Sequence, residues 1–201
     1  ENSAFGANAL GNNISGYSNT SVGNQSLRYN TIGSGNVGVG SYSLNSNTTG
    51  GLNTAIGYRA LDLNFNGSGN VSIGSYALSN NNGTGNNTAI GNMAGYDDAT
   101  GSGNVFLGNR AGLGETGSNK LYIANDGGIP LIYGDFNSGR IGLGTTNPLY
   151  KLDVNGVANV TQLGIGGTST AKLNVIGNAN ITTSLTVGTS LSVGSNLTVG
   201  S

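Results

Sequence analysis

The sequence contains no cysteine and no histidine, only two prolines, and few charges: 7% of its 201 residues are Asp, Glu, Lys or Arg. Without cysteine there is no disulfide framework and no thiolate metal site, and cysteine usage says nothing about redox compartment. Without either residue the commonest nucleophile–base pairs and metal clusters are gone. The seven Lys and Arg are scattered and the net charge is −1. No basic surface lines up against a row of phosphates, so nucleic acid is not an expected partner. No apolar run is long enough to span a bilayer, so membrane insertion is not expected.

Chemistry is equally sparse. The carboxylates are Glu1, Asp62, Asp97, Asp98, Glu115, Asp126, Asp135 and Asp153. Asp97-Asp98 is an adjacent pair, and it reads as a solvated loop rather than as a catalytic couple. Asp126 and Asp135 flank turns and are expected to cap them. No loop offers enough converging carboxylates for Ca²⁺. Gly83-Thr84-Gly85 lacks the Lys and the following helix of a phosphate loop. Asn-x-Ser/Thr triplets such as Asn13-Ile14-Ser15 and Asn70-Val71-Ser72 are what chance gives in so Asn- and Ser-rich a chain. No enzymatic activity, metal or cofactor is expected.

What is abundant is glycine, with 38 residues, and nearly as many asparagines, while hydrophobic residues reach only 35%. That composition alone reads as disorder. A strict repeat argues otherwise. Units begin at Asn2, Asn19, Asn36, Asn53, Asn70, Asn87 and Asn104, always 17 residues apart. A fixed short period is the signature of stacked coils. Glu1 opens inside a repeat, so the chain is expected to be a fragment or processed form, and a missing leader carries no meaning.

Numbered from its Asn, each unit has Ser, Thr or Val second and an apolar residue fourth: Phe5, Val22, Val39, Ile56, Ile73, Ile90 and Leu107. The fifth is always glycine, as at Gly57 and Gly74; the eighth is Ala or Ser; the ninth is Leu in five units and Gly95 and Gly112 in the last two. Second and fourth residues share one side of a strand. They are the expected core of the repeat, half-buried. The invariant glycine fits a corner with positive φ or a close backbone approach. Each unit is therefore expected to be strand, corner, short second strand and Gly/Ser/Asn-rich loop. Stacked first-position asparagines are expected to form an amide ladder. With coils about 4.8 Å apart, seven make a section on the order of 34 Å.

The sixth and seventh positions face outward on this reading. Tyr42, Tyr58, Arg59, Tyr76 and Arg110 are the candidate surface contacts for a glycan, through ring stacking and hydrogen bonds. The plainer alternative is that the tyrosines cover the coil or pack between subunits.

Asn53-Thr54-Ala55-Ile56-Gly57, with Ala60 at the eighth position, resembles the head repeats of trimeric autotransporter adhesins of the YadA type. The resemblance implies a left-handed parallel β-roll assembled as a trimer. The period of 17 is longer than is typical there, which implies longer loops.

After Gly112 the rhythm stops. Asn119–Ala124 and Leu131–Gly134 read as strands around an Asp126-Gly127-Gly128 turn, and Pro130 and Pro148 both lie here, outside the repeats. Residues 118–150 are expected to form a β-hairpin collar following the β-roll of residues 1–117. Asn119–Ile123, Arg140–Pro148 and Lys151–Gly156 together resemble a group of phage tail fibres and related bacterial surface fibre proteins. Those often end in an intramolecular chaperone of the endosialidase type. No such domain is present here; it is expected to have been cleaved off or to lie beyond the sequence.

Lys151–Thr161 returns at Lys172–Thr182, and a six-residue rhythm begins after it, at Leu185, Leu191 and Leu197. Strands with one apolar and one hydroxyl face, stepping so briefly, fit a triple β-helix shaft over residues 151–201. The combined expectation is an all-β homotrimeric fibre of β-roll, hairpin collar and triple β-helix. It would stand on a virion or bacterial surface and attach to a host-surface glycan or protein receptor. The alternative is a structural extracellular filament without a specific ligand. A monomeric ice-binding solenoid fits less well, because the second position mixes Thr with Val.

Overall fold

The computed structural model describes residues 1–98 and 100–160; the expected shaft lies outside them from residue 161 on. Among the described residues there is no helix, and eleven short strands form one sheet in chain order. Strands β1 (Ser3–Phe5), β2 (Thr20–Val22), β3 (Val37–Val39), β4 (Thr54–Ile56), β5 (Val71–Ile73), β6 (Thr88–Ile90) and β7 (Val105–Leu107) are the second to fourth positions of the seven units. Each pairs in parallel with the next at the same register, Thr54 against Val71 and Ile56 against Ile73. The repeat is a β-solenoid with one unit per coil.

The core is not where the pattern placed it. The third position points inward: Ser21, Ala55, Ser72, Ala89 and Phe106 are fully buried. Opposite them lie the eighth position (Ser26, Ser43, Ala60, Ala77, Ala94, Ala111) and the ninth (Leu27, Leu44, Leu61, Leu78). The fourth-position residues lie on the outer face of the sheet. Phe5 is 78% exposed, Val22 38%, Ile56 39% and Ile90 42%, while Val39, Ile73 and Leu107 are half-buried. Second and fourth positions do share a side, as strand alternation requires. The sides are exchanged because so small a coil has room for little more than a small third residue against one leucine. Gly38 shows how tight that is: a Cβ there would come within 2.6 Å of Ser26 Oγ.

The expected second strand is absent. The seventh and ninth residues instead take left-handed backbone, with φ of 53° at Arg59 and 54° at Leu61. These angles cost non-glycine residues something, and hydrogen bonding between coils offsets it. Arg59 N–H donates to Ser41 O at 3.0 Å, in the coil before, while Leu61 N–H donates to Ala77 O at 2.9 Å, in the coil after. The fifth-position glycine is both corner and close approach. Gly57 has φ 136°, and a Cβ on it would lie 2.5 Å from Gly74 O. The close partner is the next coil of the same chain.

Two columns of asparagine run through the stack. In the first position Asn70 N–H donates to Asn53 Oδ1 at 2.9 Å, and Asn53 Nδ2 donates to Asn36 Oδ1 at 3.1 Å and to Gly67 O at 2.8 Å. In the twelfth, Asn64 Nδ2 donates to Asn47 Oδ1 and to the same Gly67 O, both at 2.9 Å. The first column is the ladder the spacing indicated; the second was not foreseen.

The last coil is adapted to the strands beyond it. Phe106 fills the third position, and the ninth positions beside it are Gly95 and Gly112. A Cβ on Gly95 would sit 2.5 Å from Phe106 Cδ2, and one on Gly112 would meet the same ring. Strand β8 (Lys120–Ile123) then continues the parallel ladder after a 16-residue step, Val105 against Leu121. Strands β9 (Ile132–Asp135) and β10 (Arg140–Leu143) add antiparallel, and β11 (Leu152–Val154) pairs in parallel with β10. The sheet thus runs on past residue 150, and residues 1–158 form one compact unit. Phe106, Tyr122 and Tyr133 stand in register, with ring centroids 5.9 and 5.3 Å apart.

Phe106→Ala should cost about 3–5 kcal/mol of unfolding free energy. Gly112→Leu alone should also destabilise, whereas Phe106→Ala/Gly112→Leu should recover part of the loss. Denaturant unfolding of the four chains measures this coupling, and strict additivity would show that the ring and the glycine do not share space.

Candidate functional site

The corner after each strand carries the sixth and seventh side chains outward, and there four tyrosines form one row. Tyr42 meets Tyr58 edge-to-face at 6.3 Å, Tyr58 meets Tyr76 at 5.3 Å, and Tyr76 meets Tyr96 at 6.2 Å. Arg59 lies over two of the rings, 5.5 Å from the centroid of Tyr42 and 5.7 Å from that of Tyr58. Gln25 extends the row, with Nε2 donating to Tyr42 Oη at 3.1 Å, and Arg28 donates to Gln25 Oε1 at 2.7 Å.

Tyr42, Tyr58, Arg59 and Tyr76 are therefore brought together as the sequence indicated. Arg110 is not part of the row; Met93 occupies the seventh position between it and Tyr76. Tyr96 was missed because it sits at the tenth position, outside the sixth- and seventh-position pattern. Gln25 was missed because only its column, not its type, marks it out.

Electrostatics inside the row are modest. Burial pushes the Asp62 carboxyl up, and Arg59, 3.7 Å away, pulls against that. Burial first, and then the Tyr58 hydroxyl through its hydrogen bond and its charge, raise the Tyr76 phenol, while Arg59 pulls it down. Tyr58 remains 43% exposed. In each pair the edge of one ring meets the face of the next and the guanidinium lies over two rings, so the row is a packed aromatic ridge with part of Tyr58 left in solvent. That surface can form hydrogen bonds and apolar contacts, but holds no nucleophile with a base beside it.

The acidic residues do not converge either. Asp97 accepts from Asn80 Nδ2 at 3.3 Å. Asp98 is the correction to the solvated-loop reading: it is fully buried. It occupies the twelfth position, where the earlier coils place Asn13, Asn30, Asn47, Asn64 and Asn81. It accepts from Gly101 N–H at 3.0 Å and from Asn104 Nδ2 at 3.2 Å. The signal for its burial was the 17-residue spacing from those asparagines. Asp126 and Asp135 do cap turns, accepting from the N–H groups of Gly128 and Asn137, each at 3.0 Å. Among the described residues no group of three His, Cys, Asp or Glu could hold a metal ion. An open apolar groove lies along Ile132, Leu143 and Val154, at the far end of the sheet.

Comparison with protein-family models, with curated proteins and with solved structures found no match.

Because the rings support one another, Tyr58→Ala should cost about 1–2 kcal/mol and weaken the near-ultraviolet circular dichroism of the tyrosines. Tyr58→Phe keeps the ring and should preserve the stability. Arg110→Ala, outside the row, should leave the aromatic signal unchanged.

Proposed function

We propose that this chain is one protomer of a homotrimeric β-fibre that projects from a virion or bacterial cell surface and attaches it to a receptor. The observation that carries the proposal is the outer face of strands β1–β7. Its second positions are Ser, Thr or Val, and its fourth positions run from Phe5 to Leu107 without a single polar residue. In one chain four of these seven apolar side chains, Phe5, Val22, Ile56 and Ile90, are exposed and the other three half-buried, whereas the interior is filled mainly by Ala, Ser, Gly and Leu. A long, regular apolar stripe on a flat sheet is a surface to be covered.

A second and third copy fit that stripe for a geometric reason. Every coil advances by the strand spacing, so a copy in the same register sets an apolar row against each apolar row along the whole stack. The resemblance to trimeric adhesin heads and tail fibres points the same way. In this reading the strands β8–β11 serve as a collar, and the Leu/Val/Thr-rich region after residue 160 supplies the shaft. The tyrosine row, on the corner beside the stripe's sheet, remains available as the attachment surface. A host-surface glycan, bound through hydroxyl and ring contacts, is the receptor chemistry it suits.

Light scattering should give three times the chain mass of 20.0 kDa, with the band persisting on an unboiled detergent gel. Ile73→Asp, on the outer stripe, should reduce the assembly while the β spectrum of the coils survives. A single chain mass for the wild type would sink the trimer and favour a monomeric solenoid.

A further inference from the structure

The twelfth-position asparagine column is regular through four coils and then breaks. Asn13, Asn30, Asn47 and Asn64 each stand three residues before a glycine, and each donates from Nδ2 to that glycine's carbonyl at 2.9 Å. After the first, each amide nitrogen also donates to the Oδ1 of the coil before: Asn30 to Asn13 at 2.9 Å, Asn47 to Asn30 at 2.7 Å, Asn64 to Asn47 at 2.9 Å. The fifth coil reads Asn81-Asn82-Gly83-Thr84, so its glycine comes one residue early and threonine stands in the regular place. A Cβ on Gly16, Gly33, Gly50 or Gly67 would collide with the Oδ1 of the asparagine three residues before it. Thr84 carries such a Cβ, so the regular side-chain position is closed to Asn81.

The result is a set of buried polar groups with no protein partner. Asn64 Oδ1, Asn81 Oδ1 and Asn81 Nδ2 are all unpaired, and both residues are fully buried. The backbone departs at the same level. In the second and third coils two consecutive N–H groups donate to one carbonyl of the coil after. Thr31 and Ile32 donate to Thr48 O at 2.9 and 3.1 Å, and Thr48 and Thr49 donate to Phe65 O at 2.8 and 3.1 Å. The corresponding N–H groups of Phe65 and Asn66 make no such bond to Asn82, and Gly83 turns away with φ 82°. The fourth and fifth coils are joined through β4 and β5 and through the first-position column. Along the loop they are not joined.

We propose that a water molecule is bound inside this seam as the rung between the fourth and fifth coils, accepting from Asn81 Nδ2 and donating to Asn64 Oδ1. Buried polar groups without a protein partner are the usual hosts of internal water. The unpaired set holds two acceptors and one amide nitrogen and carries no charge. A cation would meet the Nδ2 protons, and an anion would meet the two Oδ1 atoms. A single oxygen that both donates and accepts suits them all. Phe65 and Asn66 are exposed, so the side of the seam that carries their free N–H groups is the side from which water enters. The coil itself stays shut. Thr84 O still accepts from Asn70 Nδ2 at 2.9 Å, and Thr84 Oγ1 accepts from Asn87 Nδ2 at 3.3 Å. The site is thus local to one seam and holds for one chain or three.

The test is water–protein cross-relaxation by NMR in the whole protein, read at the asparagine side-chain amides. The Asn81 Nδ2 protons should show rotating-frame cross-peaks to water, with the sign of dipolar contact and not of chemical exchange. The Asn30 and Asn47 amides, bonded directly to their neighbours, should show none. Exchanging the two residues, Gly83→Thr with Thr84→Gly, puts the glycine back three places after Asn81. It should remove the Asn81 cross-peak and raise hydrogen-exchange protection of the Phe65 amide by about tenfold, the worth of one hydrogen bond. A wild-type Asn81 amide without a water cross-peak would overturn the proposal, whether or not the double variant folds. Equal cross-peaks at Asn30, Asn47 and Asn81 would overturn it too, as would an Asn81 cross-peak that survives in the folded double variant.

Discussion

Each coil is closed by one carbonyl. In the fourth unit that carbonyl is Gly67 O, and it accepts two buried amides at once, from Asn53 at the start of the unit and Asn64 near its end. The Oδ1 of Asn53 then takes the N–H of Asn70, the start of the next coil. One side chain thus fastens its own coil shut and fixes the height of the following one. These groups are out of water, and a buried polar group left unpaired costs about 1–3 kcal/mol. Inserting or deleting a residue between Asn and carbonyl would strand several such groups. That is a physical reason for a spacing that never varies over seven units. In this coil the residue must be glycine too, since a Cβ at Gly67 would collide with Asn64 Oδ1 and with Thr84 O in the next coil.

This closure makes the coil narrow, and narrowness decides the rest. An interior of Ala, Ser and one Leu buries little apolar area, so hydrogen bonds between coils have a larger part in holding the stack than they do in an ordinary globular core. Left-handed backbone at the seventh and ninth residues is a consequence, because alternate N–H groups must point to the coil before and the coil after. A further consequence is that Val, Ile and Leu side chains of the strands have no room inside. They go outward, and the apolar stripe is the complement of the crowded interior.

Much of this was legible in the chain. Seven asparagines in register gave the coil length, the position of each strand and the ladder that the first of each set forms. Alternation correctly put Thr54 and Ile56 on one side, but not on which side, because an apolar residue is normally taken to face inward. The clue was the third position, where Ser21, Gly38, Ala55, Ser72 and Ala89 are all small. Small residues at a fixed spacing mark close packing as surely as large ones mark a core. The second asparagine column had the same period as the first and was hidden by the abundance of Asn around it. Tyr96 lay at the tenth position, outside the sixth- and seventh-position columns, so only three-dimensional proximity could add it to Tyr76.

The departures from the repeat gather at one end, and together they make a single transition. Thr84 replaces the carbonyl glycine, Gly95 and Gly112 replace leucine, Asp98 and Glu115 replace asparagine, and one residue is dropped before Lys120. Taken singly, each weakens the pattern. Taken together, they exchange a column of amides and leucines for a column of rings. Phe106 occupies the space that two leucines have given up, and Tyr122 and Tyr133 continue from it into the antiparallel strands. A stack of identical coils has no reason to stop and needs a different last unit. Here that unit also turns the sheet from parallel to antiparallel, and the wider rings bridge strands whose inward residues no longer repeat. Glu115 fits the shortened loop for a related reason. Its longer side chain reaches Gly117 two residues on, where Asp98 spans three to Gly101. Substitution and deletion compensate for each other, so the irregular end is as closely specified as the regular one.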